Sequence, residues 1–402
     1  MKTYGELLRT PGVARLLFAQ LLARFPGGML SLGLLIHIEG IFHSYGAAGL
    51  VLASLSVGQA VAGPLTSRWM GVWRMRPVLI LTTCVSACAL LTLAFAPLPL
   101  TGFMAIALLT GLSFPPIQPA VRTIYPKVVN SRQLTPLFSL DASAQEIIWV
   151  AGPVLVTFTA TQISSTAGIL LSFVFLVGGG AWFISSPELG RVRIPRSKRR
   201  FGAVLTRPSV LVVTVVGVLI VGSFAAIEAG VIATFGNGSP QAGIVLAFFA
   251  LSSLGGGLGF GHRAGRPWSL ALRMCGILIG ALLAAFAWEF WTLSGALLIA
   301  GLMVAPSLAV MFAAVSSSVR FSDTAEAYGW VGTGQLLGAA LGSAVAGFLI
   351  DAAGAHGAFY TSVTLAALAV LIALVFRRAL PDLRGRDAGP IPDTEPIPTQ
   401  PS

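Results

Sequence analysis

Twelve apolar runs, each about as long as a bilayer crossing requires and each ended by a short polar, glycine- or proline-bearing break, constrain this chain more than any other feature. They fall near residues 14–37, 47–67, 77–97, 100–122, 139–160 and 166–185. After a basic segment they resume near 209–233, 241–261, 268–290, 293–317, 327–350 and 357–376. A crossing helix needs about 20 apolar residues, so twelve of them consume nearly all 402 positions. Only 10% of the residues are charged, against about 25% in a soluble protein, too few to cover a water-facing surface. The expected fold class is all-α and polytopic, with twelve transmembrane helices in two six-helix pseudo-repeats.

The basic residues set the expected topology, because lysine and arginine in short loops are retained on the cytoplasmic side. With the N-terminus inside, the inner segments carry 24 of the 25 basic residues; the exception is Arg24, inside the first run. The outer loops, near 38–46, 98–99, 161–165, 234–240, 291–292 and 351–356, carry none. The net charge of +11 is thereby assigned to topology and the lipid bilayer, and no nucleic-acid partner is expected. The start, MKTYGELLRTPGVAR, shows no cleavable leader. The expected location is the inner (plasma) membrane, multi-pass, with both termini cytoplasmic. The expected organisation is a six-helix half over 1–186, a basic cytoplasmic linker over 187–208, a second half over 209–379 and a disordered Pro-rich tail over 380–402.

A short internal repeat supports two halves. Gly111-Leu112 with Pro116 recurs 190 residues later as Gly301-Leu302 with Pro306, and Gly152 maps to Gly342 at the same offset.

After the second run stands Gly63-Pro64-Leu65-Thr66-Ser67-Arg68, followed by Gly71 and Arg74, and the fifth run contains Ala151-Gly152-Pro153. With the twelve runs and the basic central segment, these resemble the major facilitator superfamily of secondary transporters. Ser67 stands where that family's loop signature carries aspartate. The segments SFPPIQPAVRTIYP, FSLDASAQEIIWVAGPVLV and TAEAYGWVGTGQLLGAALGSAVAGFLID resemble a bacterial, actinobacterial-type branch of it. The resemblance implies alternating access of two rocking halves around a midplane site.

A charge inside the bilayer needs a partner, a wet cavity or a function. Arg24, followed by Phe25-Pro26-Gly27-Gly28, either lines a central cavity, holding a carboxylate or an anionic substrate, or snorkels to the inner surface. Asp141 and Glu146, five residues apart, lie about 140° apart around a helix and do not share a proton. Asp141 is expected to pair with Arg122 or Arg132. Glu146, deeper and beside Gln145, is expected to exchange protons or touch substrate, or else to form a buried pair, for instance with Arg24. Glu228 is a second proton-carrying candidate, and Gln59 and Gln335 are candidates to hydrogen-bond substrate. Arg68, Arg122 and Asp141 are expected at a cytoplasmic gate. Glu39, His37 and His43 read as interfacial polar residues. Gly334, Gly338 and Gly342 form one helical stripe, which permits close packing.

Several classes are disfavoured. Cys84, Cys88 and Cys275 lie inside apolar runs and read as reduced thiols, so no disulfide framework, metal site or cofactor is expected. Gly255-Gly256-Gly257-Leu258-Gly259-Phe260-Gly261 ends a membrane run without a preceding strand and is no nucleotide loop. No P-loop lysine is present, and an intramembrane enzyme would need a clustered nucleophile and base. The expectation is a monomeric, proton-coupled exporter of a small, partly apolar organic compound. An importer or facilitator of a small metabolite, anionic if Arg24 grips it, is the alternative, and a non-transporting receptor or intramembrane enzyme is the alternative of another class.

Overall fold

The computed structural model describes residues 2–236, 239–263, 265–384 and 388–393. Eleven of the described helices are long and apolar enough to cross a membrane, and a twelfth is shorter. In chain order they are span 1 (Val13–Phe42), span 2 (Tyr45–Trp73), span 3 (Met75–Phe95), span 4 (Leu100–Val128), span 5 (Ser131–Gln162) and span 6 (Ser165–Ser185). There follow span 7 (Pro208–Phe235), span 8 (Pro240–Phe260), span 9 (Ser269–Ala284), span 10 (Phe290–Ser318), span 11 (Phe321–Ala353) and span 12 (Ala355–Val375). Span 9 was expected to run to residue 290; the helix stops at Ala284, and Trp288 instead meets the His356 ring at 3.6 Å.

Proline and glycine interrupt the helices in matching places. Span 4 is interrupted between Leu112 and Ile117, where Pro115 and Pro116 supply no backbone donor, and span 10 is interrupted at Met303, three residues before Pro306. Span 6 widens to a π turn over Phe175–Gly179, where Gly179 lies against the backbone of Leu22 and Ala23.

The 190-residue repeat is a repeat of contacts. Gly111 of span 4 packs on the backbone of Leu55 and Gly58 in span 2, and Gly301 of span 10 packs on Phe249 in span 8. Likewise Gly152 of span 5 packs on Gly28 of span 1, while Gly342 of span 11 packs on Gly222 of span 7. A side chain at any of these positions would hold the paired helices apart.

The halves meet mainly through the arginine-rich ends of the spans. Among the described residues, the ion pair and ring contacts between spans 1–6 and spans 7–12 lie there, and hydrogen-bonded contacts reach the middle of the helices at Thr333 and Ala60. Thr333 donates to the Ala60 carbonyl at 2.8 Å, and Gly329 lies against Gly63 and Pro64. Towards the opposite face, Trp149, Val154 and Phe158 of span 5 and Phe348 of span 11 are all more than half exposed.

Two segments depart from expectation. Lys2–Arg9 is an additional helix, with Leu7 fully buried and Tyr4 buried. The tail, expected to be disordered from 380, is folded over its described residues, 380–384 and 388–393. Leu380, Leu383 and Ala388 are buried, Ile391 exchanges backbone hydrogen bonds with Val319 and Phe321, and Asp393 accepts from Ser322 at 2.6 Å. The apolar residues between the charges find a groove on the second half, which composition alone does not register. Residues 385–387 and 394–402, the rest of that expected tail, lie outside the described residues.

Candidate functional site

Span 5 carries the centre of the site. Asp141 is fully buried, and four groups converge on its carboxylate. Gln20 (3.2 Å), Arg24 (3.2 Å) and the Tyr125 hydroxyl (3.1 Å) donate to one oxygen, and Arg122 Nε donates to the other at 2.9 Å. Gln145, one turn further on, accepts from Arg24 and from Arg122 (3.3 Å), and Gln118 contacts both Gln145 and Arg122. Arg24 also donates to Gln20 at 2.9 Å. Spans 1, 4 and 5 are thus tied together by two guanidiniums sharing one carboxylate, which leaves a net charge of +1 within the cluster. Leaving either guanidinium without the carboxylate would cost several kcal/mol.

Arg122 reaches beyond its own half. Its guanidinium lies 3.3 Å from the centroid of the Phe312 ring on span 10, and Tyr328 of span 11 donates to the Phe312 carbonyl at 2.8 Å. The cluster is therefore in contact with span 10 of the second half.

Glu146 points elsewhere. It is buried, forms no ion pair among the described residues, and interacts with the Ser253 side chain of span 8. Arg24 chooses Asp141 instead, so the alternative of an Arg24–Glu146 pair is corrected: the 140° offset along span 5 directs the two acids to different neighbours. Below Glu146, spans 5 and 8 meet without clearance. Gly257 faces Ser143, Gly261 faces Ser139, Ser139 donates to the Gly257 carbonyl at 2.7 Å, and Tyr4 donates to the same carbonyl at 3.0 Å. Within the glycine run, Gly257 and Gly261 thus face span 5 of the other half, while Gly256 packs on Leu302 of span 10.

The Major Facilitator Superfamily profile matches residues 16–288 and 225–399. The chain belongs to the Major Facilitator Superfamily. It is a membrane transporter and not an enzyme. No curated protein matches it in sequence. Among solved structures it is similar to the human organic anion transporter MFSD10 (TETRAN), with a TM-score of 0.72, 17% identity, and 90% of this chain and 98% of that one covered. It is also similar to a bacterial homologue of the iron transporter ferroportin in an outward-facing state, with a TM-score of 0.72, 15% identity, and the same shares covered. At these identities the likeness is one of fold.

The superfamily's loop signature is bonded differently here. Ser67, in the aspartate's place, donates to the Gly63 carbonyl of its own helix at 2.6 Å. Its neighbour Arg68 reaches the other half, pairing with Glu326 of span 11 at 2.6 Å and donating to the Arg199 carbonyl of the linker. Glu326 also accepts from the Gly202 backbone at 2.7 Å, so the linker joins the closure.

The remaining candidates are scattered. Glu228 is exposed on span 7 without an ion pair among the described residues, and Gln59 and Gln335 are half-buried. His37 meets the Ser165 hydroxyl at 3.0 Å, while Cys84 and Cys88 are exposed. Gly334, Gly338 and Gly342 pack against Thr214, Val218 and Gly222 of span 7. Asp141 pairs with Arg122 and Arg24, not with Arg132. Sequence reasoning missed Gln20, Gln118, Tyr125, Ser253 and Glu326. Gln20 carried a signal, lying one turn before Arg24, whereas Ser253 and Glu326 matter only because the other half approaches them.

Proposed function

We propose that this transporter is a proton-coupled exporter of a small, partly apolar organic compound, working as a monomer by alternating access in a bacterial inner membrane with both termini cytoplasmic. The observation that carries the reading is Glu146: a buried carboxyl without an ion pair among the described residues, at the surface where spans 5 and 8 separate when the halves rock. Its charged form is costly there while the surface is closed. Protonation favours the closed arrangement, and release of the proton favours separation at that end. With the arginine-rich face cytoplasmic, the conformation described is closed to the cytoplasm, which accords with the outward-facing state of the ferroportin homologue. Protons then load from outside and leave inside as substrate moves outward. In this reading Gln59, Gln335 and Glu228 contact substrate or carry protons.

A second reading has its own support. The surplus positive charge of Arg24 and Arg122 over Asp141 suits an anionic metabolite taken up or equilibrated by the same cycle, and MFSD10 is described as an organic anion transporter.

The deciding experiment is accumulation of a chemically diverse compound panel in cells with and without the protein, before and after collapse of the proton gradient. Export predicts lowered accumulation that the uncoupler restores; raised accumulation of anions selects the second reading. Glu146→Gln is expected to abolish gradient-driven flux with folded protein still in the membrane. Unchanged pH-dependent transport in that variant would remove Glu146 from the coupling.

A further inference from the structure

Between the turn that joins spans 2 and 3 and the linker lies a cavity of about 600 Å³. Gly71, Trp73 and Arg74 line one wall; Arg193, Pro195 and Arg196 line the other. The walls are fixed in place. The linker approaches Gly71 so closely that a Cβ there would stand 3.3 Å from the Pro195 carbonyl oxygen. Ile194 is buried, Arg76 holds the Ser186 carbonyl at 3.1 Å on one side, and Asp323 holds Ser197 at 2.5 Å on the other.

Among the described residues nothing neutralises the three arginines. Arg74, Arg193 and Arg196 take part in no hydrogen bond, ion pair or ring contact among the described residues, and no carboxylate lines the cavity. A neighbouring cavity of about 430 Å³ shows the contrast: Arg15 there is paired with Glu188 at 2.6 Å. Three exposed arginines lining one open space create a local field that favours an anion, and the guanidinium fork suits phosphate oxygens. The position selects among phosphates. Trp73, half exposed and stacked on Trp69 at 5.4 Å, ends span 2 at the depth where aromatic residues meet lipid headgroups. Val72 beside it is also exposed, offering apolar surface next to the charge.

We propose that this cavity binds the phosphate of an anionic phospholipid headgroup, held by Arg74, Arg193 and Arg196 with Trp73 against the glycerol and upper acyl region. A soluble phosphate offers the same anion without the apolar portion. Occupancy pins the linker onto spans 2 and 3. A few residues on, the linker supplies Arg199 and Gly202 to the Arg68–Glu326 closure, so a bound headgroup favours the state closed on the arginine-rich side. The proposal is independent of substrate, coupling ion and direction of transport.

The test uses the full chain in neutral detergent, titrated separately with phosphatidylglycerol, phosphatidylcholine and inorganic phosphate, with the thermal midpoint recorded and retained lipid counted by native mass spectrometry. Wild type is compared with Arg74→Gln, with the double variant Arg193→Gln/Arg196→Gln, and with Arg378→Gln as a basic residue away from the cavity. Phosphatidylglycerol is expected to raise the midpoint and remain bound, with apparent affinity falling about fivefold for each cavity arginine removed. Arg378→Gln and phosphatidylcholine should leave the wild-type behaviour unchanged. Without lipid the variants should melt like wild type, because the replaced side chains have no protein partner. Equal phosphatidylglycerol binding in wild type and the double variant overturns the site. Stabilisation by inorganic phosphate with none by phosphatidylglycerol overturns the lipid and leaves a soluble phosphate ligand.

Discussion

The two halves share a backbone plan but fill it with opposite chemistry. At the 190-residue offset, Arg122 corresponds to Phe312, Asp141 to Val331 and Glu146 to Leu336, and only Gln145 keeps its type, as Gln335. In the first half this layer is a charged, hydrogen-bonded cluster; in the second it is apolar, with Val331 buried and Phe312 fully buried. The glycine contacts that bring span 5 onto span 1 and span 11 onto span 7 are retained in both. The fold therefore depends on close helix packing, while the charges are an addition that this packing does not require. That asymmetry makes the Arg24–Asp141–Arg122 cluster the region where the two halves differ most in charge.

The comparison breaks most sharply at Asp141. Asp141→Asn leaves two buried guanidiniums facing a neutral amide and should lower stability by about 3–5 kcal/mol, whereas Val331→Ala at the matching place should cost only about 1–2 kcal/mol. Thermal unfolding of the purified variants measures both, and similar losses would mean that the cluster is ordinary packing. Next come the shared glycines. A side chain at Gly338 would collide with the span 7 backbone at Val218, while one at Gly347 meets nothing within 4 Å. Gly338→Val should destabilise by about 1–3 kcal/mol, and Gly347→Ala should be neutral or stabilise by up to about 1 kcal/mol.

Arg24 sharpens the comparison functionally. Arg24→Ala should reduce transport about tenfold or more, since a lost charged hydrogen bond is worth about 1.5–3 kcal/mol. Arg24→Lys keeps the charge and should fall between the two in an uptake or efflux assay. Full activity in both would assign Arg24 to packing. The smallest effect belongs to Tyr4, whose hydroxyl joins the N-terminal helix to the seam between spans 5 and 8. Tyr4→Phe should cost about 1 kcal/mol. Burial raises the Tyr4 phenol above its usual value near 10, so the folded protein holds that proton more tightly. The contribution is full below pH 10 and is lost as pH rises through the raised value; a wild-type and Tyr4→Phe difference that survives strongly alkaline titration would contradict this.

The spans, their number and the segregation of arginines to one face were legible because bilayer crossing makes demands that single residues either meet or fail: apolar length, few charges, punctuation by glycine and proline. The repeat was legible for a related reason, since close backbone approach admits glycine and little else. Less could be read where the outcome depends on which surfaces meet. Asp141 had two plausible arginines, Arg122 and Arg132, and it took Arg122 together with Arg24, because spans 1 and 4 converge on span 5. Glu146 was a conspicuous charge in sequence, but its neighbour Ser253 lies 107 residues away on the other half. The tail looked too polar to fold, yet three apolar residues and one backbone bridge suffice once a groove exists. Sequence alone determined that this protein crosses the membrane and where its charges interrupt it, since each residue's transfer cost is local. Only the tertiary structure decided which charges neutralise one another and which remain unpaired, since that is a property of distance and burial between segments far apart in the chain.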